Sequence, residues 1–144
     1  VYERFVLNDF LERLRQRHAI HTVLELYLDG LYHSDTARLA QVFHPQALYA
    51  TAVGDQPIFW RMHEYFPVVD ARPAPAASGQ PRTDRVLSIE LVGPVTALAR
   101  LQCSIAPKHF IDLLTLLWLD GRWQIVTKAY HVHAGRGLPP AQTG

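Results

Sequence analysis

The run HFIDLLTLLW, residues 109–118, holds one carboxylate, Asp112, among apolar side chains and a single threonine. A carboxylate removed from water without a partner is costly, and it either finds compensation or takes up a proton. Asp112 therefore needs a satisfying group, such as backbone amides or one of Arg72, Arg82 and Arg85, or a use, and the use open to an inward carboxyl is acid–base or hydrogen-bond chemistry toward a ligand. His131 is a second candidate, because an imidazole titrates near neutral pH and suits proton transfer. His131 and His133 stand two apart, which on a strand puts both on one face; no third ligand is evident, so neither a metal nor another cofactor is expected. Cys103 is the single cysteine, which excludes an internal disulfide and a cysteine-based zinc site. Within LARLQCSI it reads as a small core residue.

The elements that must position Asp112 are two strands. Asp120-Gly121 between two apolar runs is a hairpin signal. Pairing the runs around that turn sets Trp118 opposite Trp123, Leu116 opposite Ile125, Leu114 opposite Thr127, Asp112 opposite Ala129 and Phe110 opposite His131. Strand side chains alternate, so these ten residues share a face. That face is the more apolar one and is expected to look toward the helices, with Asp112 pointing inward and His131 as its diagonal neighbour at roughly 7 Å. Thr127 joins the same face as a ligand-contact candidate. The opposite face carries Ile111, Leu113, Thr115, Leu117, Val126, Lys128 and Tyr130, too apolar for a solvated sheet. It is expected to be the interface of a homodimer. The whole assignment hangs on register, since a one-residue slip exchanges the two faces.

Earlier in the chain, Asn8 or Asp9 is expected to cap a first helix. Its buried stripe is Ile20, Val23, Leu24, Tyr27, Leu28 and Leu31, at helical spacing. Gly30 and Ser34-Asp35 are expected to end it, with Asp35 capping a short helix that carries Leu39, Val42 and Phe43 and stops at Pro45. His44 falls at the corner from that helix into a strand at 47–53, which holds Tyr49. A third helix is expected over 59–69, carrying Trp60, His63 and Tyr65 and interrupted by Pro67. Residues 71–82 read as a loop rich in Pro, Ala and Gly. Strands are expected at 86–92, 96–105, 110–119 and 123–132. Helices first and antiparallel strands after them give an α+β domain, a cone-shaped curved sheet wrapped around N-terminal helices and enclosing a pocket.

The composition bounds the partners. A chain of 144 residues, 49% hydrophobic and 19% charged, has the balance of one globular domain, expected over 1–132 with a flexible tail at 133–144. A net charge of +1 argues against a nucleic-acid binder, and the arginines at 13, 15 and 17 read as a solvated helix face. No apolar run reaches the roughly 20 residues that span a bilayer, and no signal peptide is read at the start, so a cytoplasmic location is expected.

IHTVLELYLDGLYHSDTARLAQVFHPQALY, followed late in the chain by FIDLLTLLWLDGRWQIVTKAYH, resembles the nuclear transport factor 2-like superfamily, in its SnoaL-like or lumazine-binding branch. The superfamily hosts isomerases, dehydratases, cyclases and non-catalytic modules. Ketosteroid isomerase is the informative relative. Its pocket tyrosine stands eight residues before the acidic cap of the second helix, as Tyr27 does before Asp35. Its second oxyanion donor is a protonated aspartic acid on a late strand, near the place of Asp112. The isomerase's general base has no counterpart, because the corresponding position is Thr51. The SnoaL-like cyclases carry an acidic base on the last strand, where this chain offers His131. In this fold the third helix covers the cavity, which implies pocket positions for Trp60, His63 and Tyr65.

Two functions follow as expectations. One is a cofactor-independent enzyme, of isomerase, dehydratase or cyclase type, acting on a small apolar or aromatic carbonyl compound. His131 would be its base or acid, with Tyr27 and a protonated Asp112 donating to an oxyanion. The other is a non-catalytic dimeric module that binds a small molecule in the same pocket, lined by His44, Tyr49, Trp60, His63, Tyr65 and Thr127.

Overall fold

The structure, a computed structural model, describes residues 2–134. Three helices and six strands follow one another as α1 (Tyr2–Tyr32), α2 (Thr36–Val42), β1 (Phe43–Thr51), β2 (Ile58–Arg61), α3 (Met62–Ala71), β3 (Arg85–Leu91), β4 (Thr96–Ile105), β5 (Lys108–Leu119) and β6 (Arg122–Ala134), with a 3₁₀ turn at Pro75–Ser78. The strands form one mixed sheet in the order β2-β1-β6-β5-β4-β3, in which only β1 and β6 run parallel. The α+β class is as expected, and the sheet is open and wraps the helices.

The first helix is longer than its sequence signals suggest. Asn8 and Asp9 lie inside α1, exposed, where a polar side chain facing water costs little. Its C-terminal half buries Ile20, Leu24, Tyr27, Leu28 and Leu31 against the sheet, while Val6, Leu7, Phe10, Leu11 and Leu14 remain exposed. Gly30 does not end the helix. A Cβ there would stand 2.6 Å from Leu39 Cδ2, so the glycine lets α2 approach the α1 backbone. The helix ends at Tyr32; Ser34, in the turn that follows, is in the left-handed region at φ 49°, and the Asp35 N–H reaches back to the Gly30 carbonyl at 2.8 Å. Asp35 then caps α2 as expected, its carboxylate accepting from Arg38 N–H at 3.2 Å.

Residues 59–61 belong to β2 and not to the third helix. They pair with β1, Tyr49 opposite Trp60 and Ala50 opposite Phe59, before α3 begins at Met62. Pro67 sits inside α3 on its exposed side and does not end it. At the other end β6 runs to Ala134, so His133 pairs with His109 in the sheet; the rest of the expected tail, residues 135–144, lies outside the described residues.

The largest departure from expectation is in the β5–β6 hairpin. The turn and the first pairs are as read: Trp118 faces Trp123 and Leu116 faces Ile125. The next pair is Thr115 with Thr127, leaving Val126 without a partner on β5. This β-bulge inserts one residue into β6 and reverses the facing of everything beyond it. Asp112 therefore lies opposite Tyr130 instead of Ala129, and Ile111 lies opposite His131. Thr127, Ala129 and His131 turn outward and are exposed; Lys128 turns inward and is buried. The β1–β6 register also shifts over this stretch, between Phe43 opposite Ile125 and Leu48 opposite Thr127. Among the described residues, no helix is long and apolar enough to cross a membrane.

Candidate functional site

Asp112 points into the interior, as its alternation within β5 requires, and is 0% exposed. Three groups answer it. The Tyr27 hydroxyl, from α1, donates to Oδ2 at 2.5 Å. The Cys103 thiol, from β4, donates to the same oxygen at 3.8 Å. Lys128, brought inward by the bulge in β6, holds its Nζ 3.9 Å from that oxygen. The other oxygen, Oδ1, is buried and has no hydrogen-bond partner among the described residues.

The ammonium of Lys128 sits among tyrosines. It donates to the Tyr65 hydroxyl at 3.1 Å and lies 5.2 Å from the ring centres of Tyr27 and Tyr65, 5.7 Å from Tyr49 and 5.8 Å from Tyr130. Burial alone would pull its pKa down. The negative charge of Asp112, with the polar contact to Tyr65, outweighs burial and holds the pKa above its ordinary value. Lys128 is thus a protonated cation at neutral pH. Burial, and then the nearby Asp112 charge, push the Tyr27 hydroxyl and the Cys103 thiol well up, so both keep their protons. Burial and the hydrogen bond to Tyr130 likewise raise Tyr49, against a smaller downward pull from Arg72.

Beside Asp112 and Lys128 lies a cavity of about 30 Å³. That is room for about two waters. Its deep wall is the buried set of Leu31, Tyr49, Tyr65, Cys103, Asp112 and Lys128, and its rim is the half-buried Arg72, Ile105, Phe110 and Tyr130. Aromatic rings continue outward from it. Tyr49 stacks on Tyr65 at 4.6 Å and on Trp60 at 5.0 Å, and Phe110 meets Tyr130 edge-on at 5.5 Å. A ligand larger than two waters has to displace rim side chains.

The expected site residues separate into two sets. Tyr27, Tyr49, Tyr65 and Asp112 come together, and Trp60 backs Tyr49 from outside the cavity. His131 does not join them; the bulge leaves it exposed on the outer face, its ring 4.5 Å from that of His133. Thr127 is carried outward by the same reversal. His63 lies on the solvent side of α3, its side chain 80% exposed, and His44 turns back to accept from Gln46 N–H at 3.0 Å. Sequence reasoning missed Lys128 and Tyr130, assigning both to the outer face, and saw Arg72 only as one of three arginines that could reach Asp112. Arg82, another of those three, instead pairs with Asp29 at 2.5 Å and Asp84 at 2.6 Å. The missed signal was Lys128 itself: a lone lysine two residues from Tyr130 on a strand, on the neighbour of the strand that carries a lone carboxylate, is a diagonal cross-strand ion pair waiting for the right register. Among the described residues no group of three or more His, Cys, Asp or Glu side chains is placed to hold a metal ion.

Three comparisons bear on this site. The sequence model of the family described as putative lumazine-binding matches residues 15–131. No curated protein matches the chain. Among solved structures, a nuclear transport factor 2-like protein of unknown function from Shewanella baltica is 28% identical, superposes with a TM-score of 0.74, and is covered over 95% of its length by 83% of this chain. A second such protein, from Methylobacillus flagellatus, is 28% identical at a TM-score of 0.71, with 81% of this chain covering 91% of it. A ketosteroid isomerase-like protein from Erwinia carotovora shares the fold at a TM-score of 0.63 and 11% identity, 81% of this chain covering 95% of it.

Proposed function

This chain belongs to the putative lumazine-binding family, within the nuclear transport factor 2-like fold, and we propose that it binds a small planar carbonyl compound beside Asp112 and moves a proton on it without a cofactor. The observation that carries this reading is the free Oδ1 of Asp112, a buried carboxylate oxygen with unused acceptor capacity at a cavity wall. In this reading Asp112 accepts a proton from a carbon next to the carbonyl, or from a ring N–H, and returns it to a neighbouring atom. The Lys128 ammonium stabilises the oxyanion that develops, and a donor aimed at such an oxygen contributes on the order of 10²–10³ in rate. Tyr27 does not line the cavity; it orients Asp112 through Oδ2. A raised pKa leaves Lys128 no free lone pair, which argues against a Schiff-base nucleophile. Asp112 thereby takes the part that the sequence suggested for His131.

Planar heterocycles with alternating N–H and carbonyl groups, of which lumazine is one, match the pairing of an acceptor at Asp112 with donors at Lys128, Tyr65 and Tyr130. Aromatic walls favour such rings. Non-catalytic binding is the second reading, favoured by the small size of the cavity. We further infer a homodimer, in the cytoplasm, through the outer sheet face, where Leu98 is 41% and Leu113 38% exposed.

The test is solvent-deuterium incorporation, followed by NMR, into cyclic ketones and lumazine-type heterocycles, with binding followed by ligand fluorescence or line broadening. Exchange catalysed by the wild type and lost in Asp112→Asn, with binding kept, supports the enzyme reading. Binding with no catalysed exchange supports the module. No binding by any of these rings would reject the site.

A further inference from the structure

Arg72 occupies the first position after α3, its backbone N–H bonded to the Val69 carbonyl, and its side chain lines the rim of the Asp112 cavity. Two of its guanidinium nitrogens, Nε and Nη2, are buried and have no hydrogen-bond partner among the described residues. Those two nitrogens form one edge of the guanidinium, with their N–H bonds parallel, and that edge is the one a carboxylate fills with two hydrogen bonds. A buried, unpaired charged donor is expensive. Asp112, the carboxylate that shares the cavity, does not relieve it, because its Oδ2 is engaged by Tyr27 and Lys128 and no bond from Arg72 reaches its Oδ1. The cavity is thus lined by two cations, Arg72 and Lys128, and one carboxylate. One positive charge is left over, at the rim.

We propose that the ligand of this site is a planar acid whose carboxylate docks on the Nε–Nη2 edge of Arg72. This rests on the pocket reading above and names the substrate class within it. The carboxylate sits at the rim, the ring passes between Tyr49, Tyr130 and Phe110, and the carbonyl or N–H end reaches Lys128 and Asp112. Arg72 is a binding and positioning residue in this arrangement. It fixes which end of the molecule enters, and so which atom meets Asp112.

The test uses benzoate and benzamide, rings of equal size that differ in charge, titrated by NMR into the full-length protein, wild type and variants. Wild type is expected to bind benzoate at least about tenfold more tightly than benzamide, as a charge-assisted bidentate contact implies. Arg72→Met abolishes that preference, benzoate then binding no more tightly than benzamide; Arg72→Lys, a cation without the fork, restores only part of it. Because the variant removes an unpaired buried charge, Arg72→Met melts at or above the wild-type temperature, which guards against misfolding as the cause. Benzamide binding as tightly as benzoate overturns the proposal and leaves the pocket reading standing. A benzoate preference that survives Arg72→Met also overturns it, moving the anion away from the rim. Binding of neither ring overturns the proposal together with the pocket reading.

Discussion

Lys128 Nζ lies 3.9 Å from Asp112 Oδ2 with both side chains almost wholly out of water. Neither residue would be tolerated there alone. Asp112 sits opposite Tyr130, two residues along β6 from Lys128, and on the inner face this makes Lys128 a diagonal neighbour. The pair is the electrostatic centre of the site, and its stability and its chemistry are coupled.

Lys128→Met should be strongly destabilising, by about 3–5 kcal/mol, because it leaves the Asp112 charge buried without its counter-ion. Lys128→Met combined with Asp112→Leu should recover much of that loss, since removing both charges also removes both desolvation penalties. Urea unfolding of the two single variants and the double variant measures the coupling. Strict additivity would show that the two groups do not interact.

Alkaline conditions should unfold the protein early. Cys103, Tyr27 and Lys128 all have folded-state pKa values raised above their ordinary ones. In each case the folded chain keeps its proton at a pH where the unfolded chain has released it, so stability is complete below the unfolded pKa and falls as pH rises. The loss begins near the thiol's ordinary value of about 8.5 and reaches about 2 kcal/mol for that group by pH 10. Cys103→Ala should delay the onset until near pH 10, where tyrosine and lysine begin to titrate. Melting temperature against pH for the two proteins decides it; coincident curves would mean the thiol titrates alike in both states.

Deleting Val126 should leave the charge pair in place. With the extra residue gone, Thr127 follows Ile125 directly, and the pairs Thr115–Thr127, Leu114–Lys128 and Asp112–Tyr130 form an unbroken ladder with Lys128 and Tyr130 still inward. A cost of about 1–3 kcal/mol is expected, from the lost Val126 contacts and the changed twist of β6, whereas Val126→Ala should cost about 1 kcal/mol or less. Calorimetry on both reads the difference. A deletion variant that loses more than about 4 kcal/mol would mean that the bulge itself is needed to hold the site together.

Gly30→Ala should destabilise despite a gain in helix propensity of about 1 kcal/mol. The new Cβ would meet Leu39 Cδ2 at 2.6 Å and Cγ at 2.9 Å, and Leu39 is itself fully buried. Overpacking of this kind costs about 1–3 kcal/mol. Shortening Leu39 to alanine in the Gly30→Ala background should cost less than it does in the wild type. Equal costs in the two backgrounds would show that the contact relaxes without strain.

Leu98→Glu with Leu113→Glu, both on the outer sheet face, should shift the protein from dimer to monomer in sedimentation equilibrium while the fold, read by circular dichroism, is retained. A wild type that sediments as a monomer would remove this interface from the proposal.

Much of the fold was legible because its signals are local. The Asp35 cap, the Asp120-Gly121 turn and the inner stripe of α1 each follow from residues within one or two turns of one another. The misread boundaries were those where tertiary contacts override local signals. Gly30 reads as a helix end and is a contact site; residues 59–61 read as helix and pair with β1; Asn8 and Asp9 read as caps and lie within α1.

Alternation along β5 was enough by itself to turn Asp112 inward, because Phe110, Leu114 and Leu116 flank it at even spacing and one face of that strand must be buried. Which group would answer it was a tertiary matter. In QIVTKAYH the inward set can be Thr127, Ala129 and His131 or, one residue later, Lys128 and Tyr130, and either reading alternates acceptably. The sheet decides between them as it curves around the helices, by placing an extra residue at Val126 where both neighbouring strands shift register. A bulge is a mismatch between two strands and has no signature in one. Asp112 could therefore be found from its own strand, while Lys128, and with it the charge on the site, waited on the fit of that strand to its neighbour.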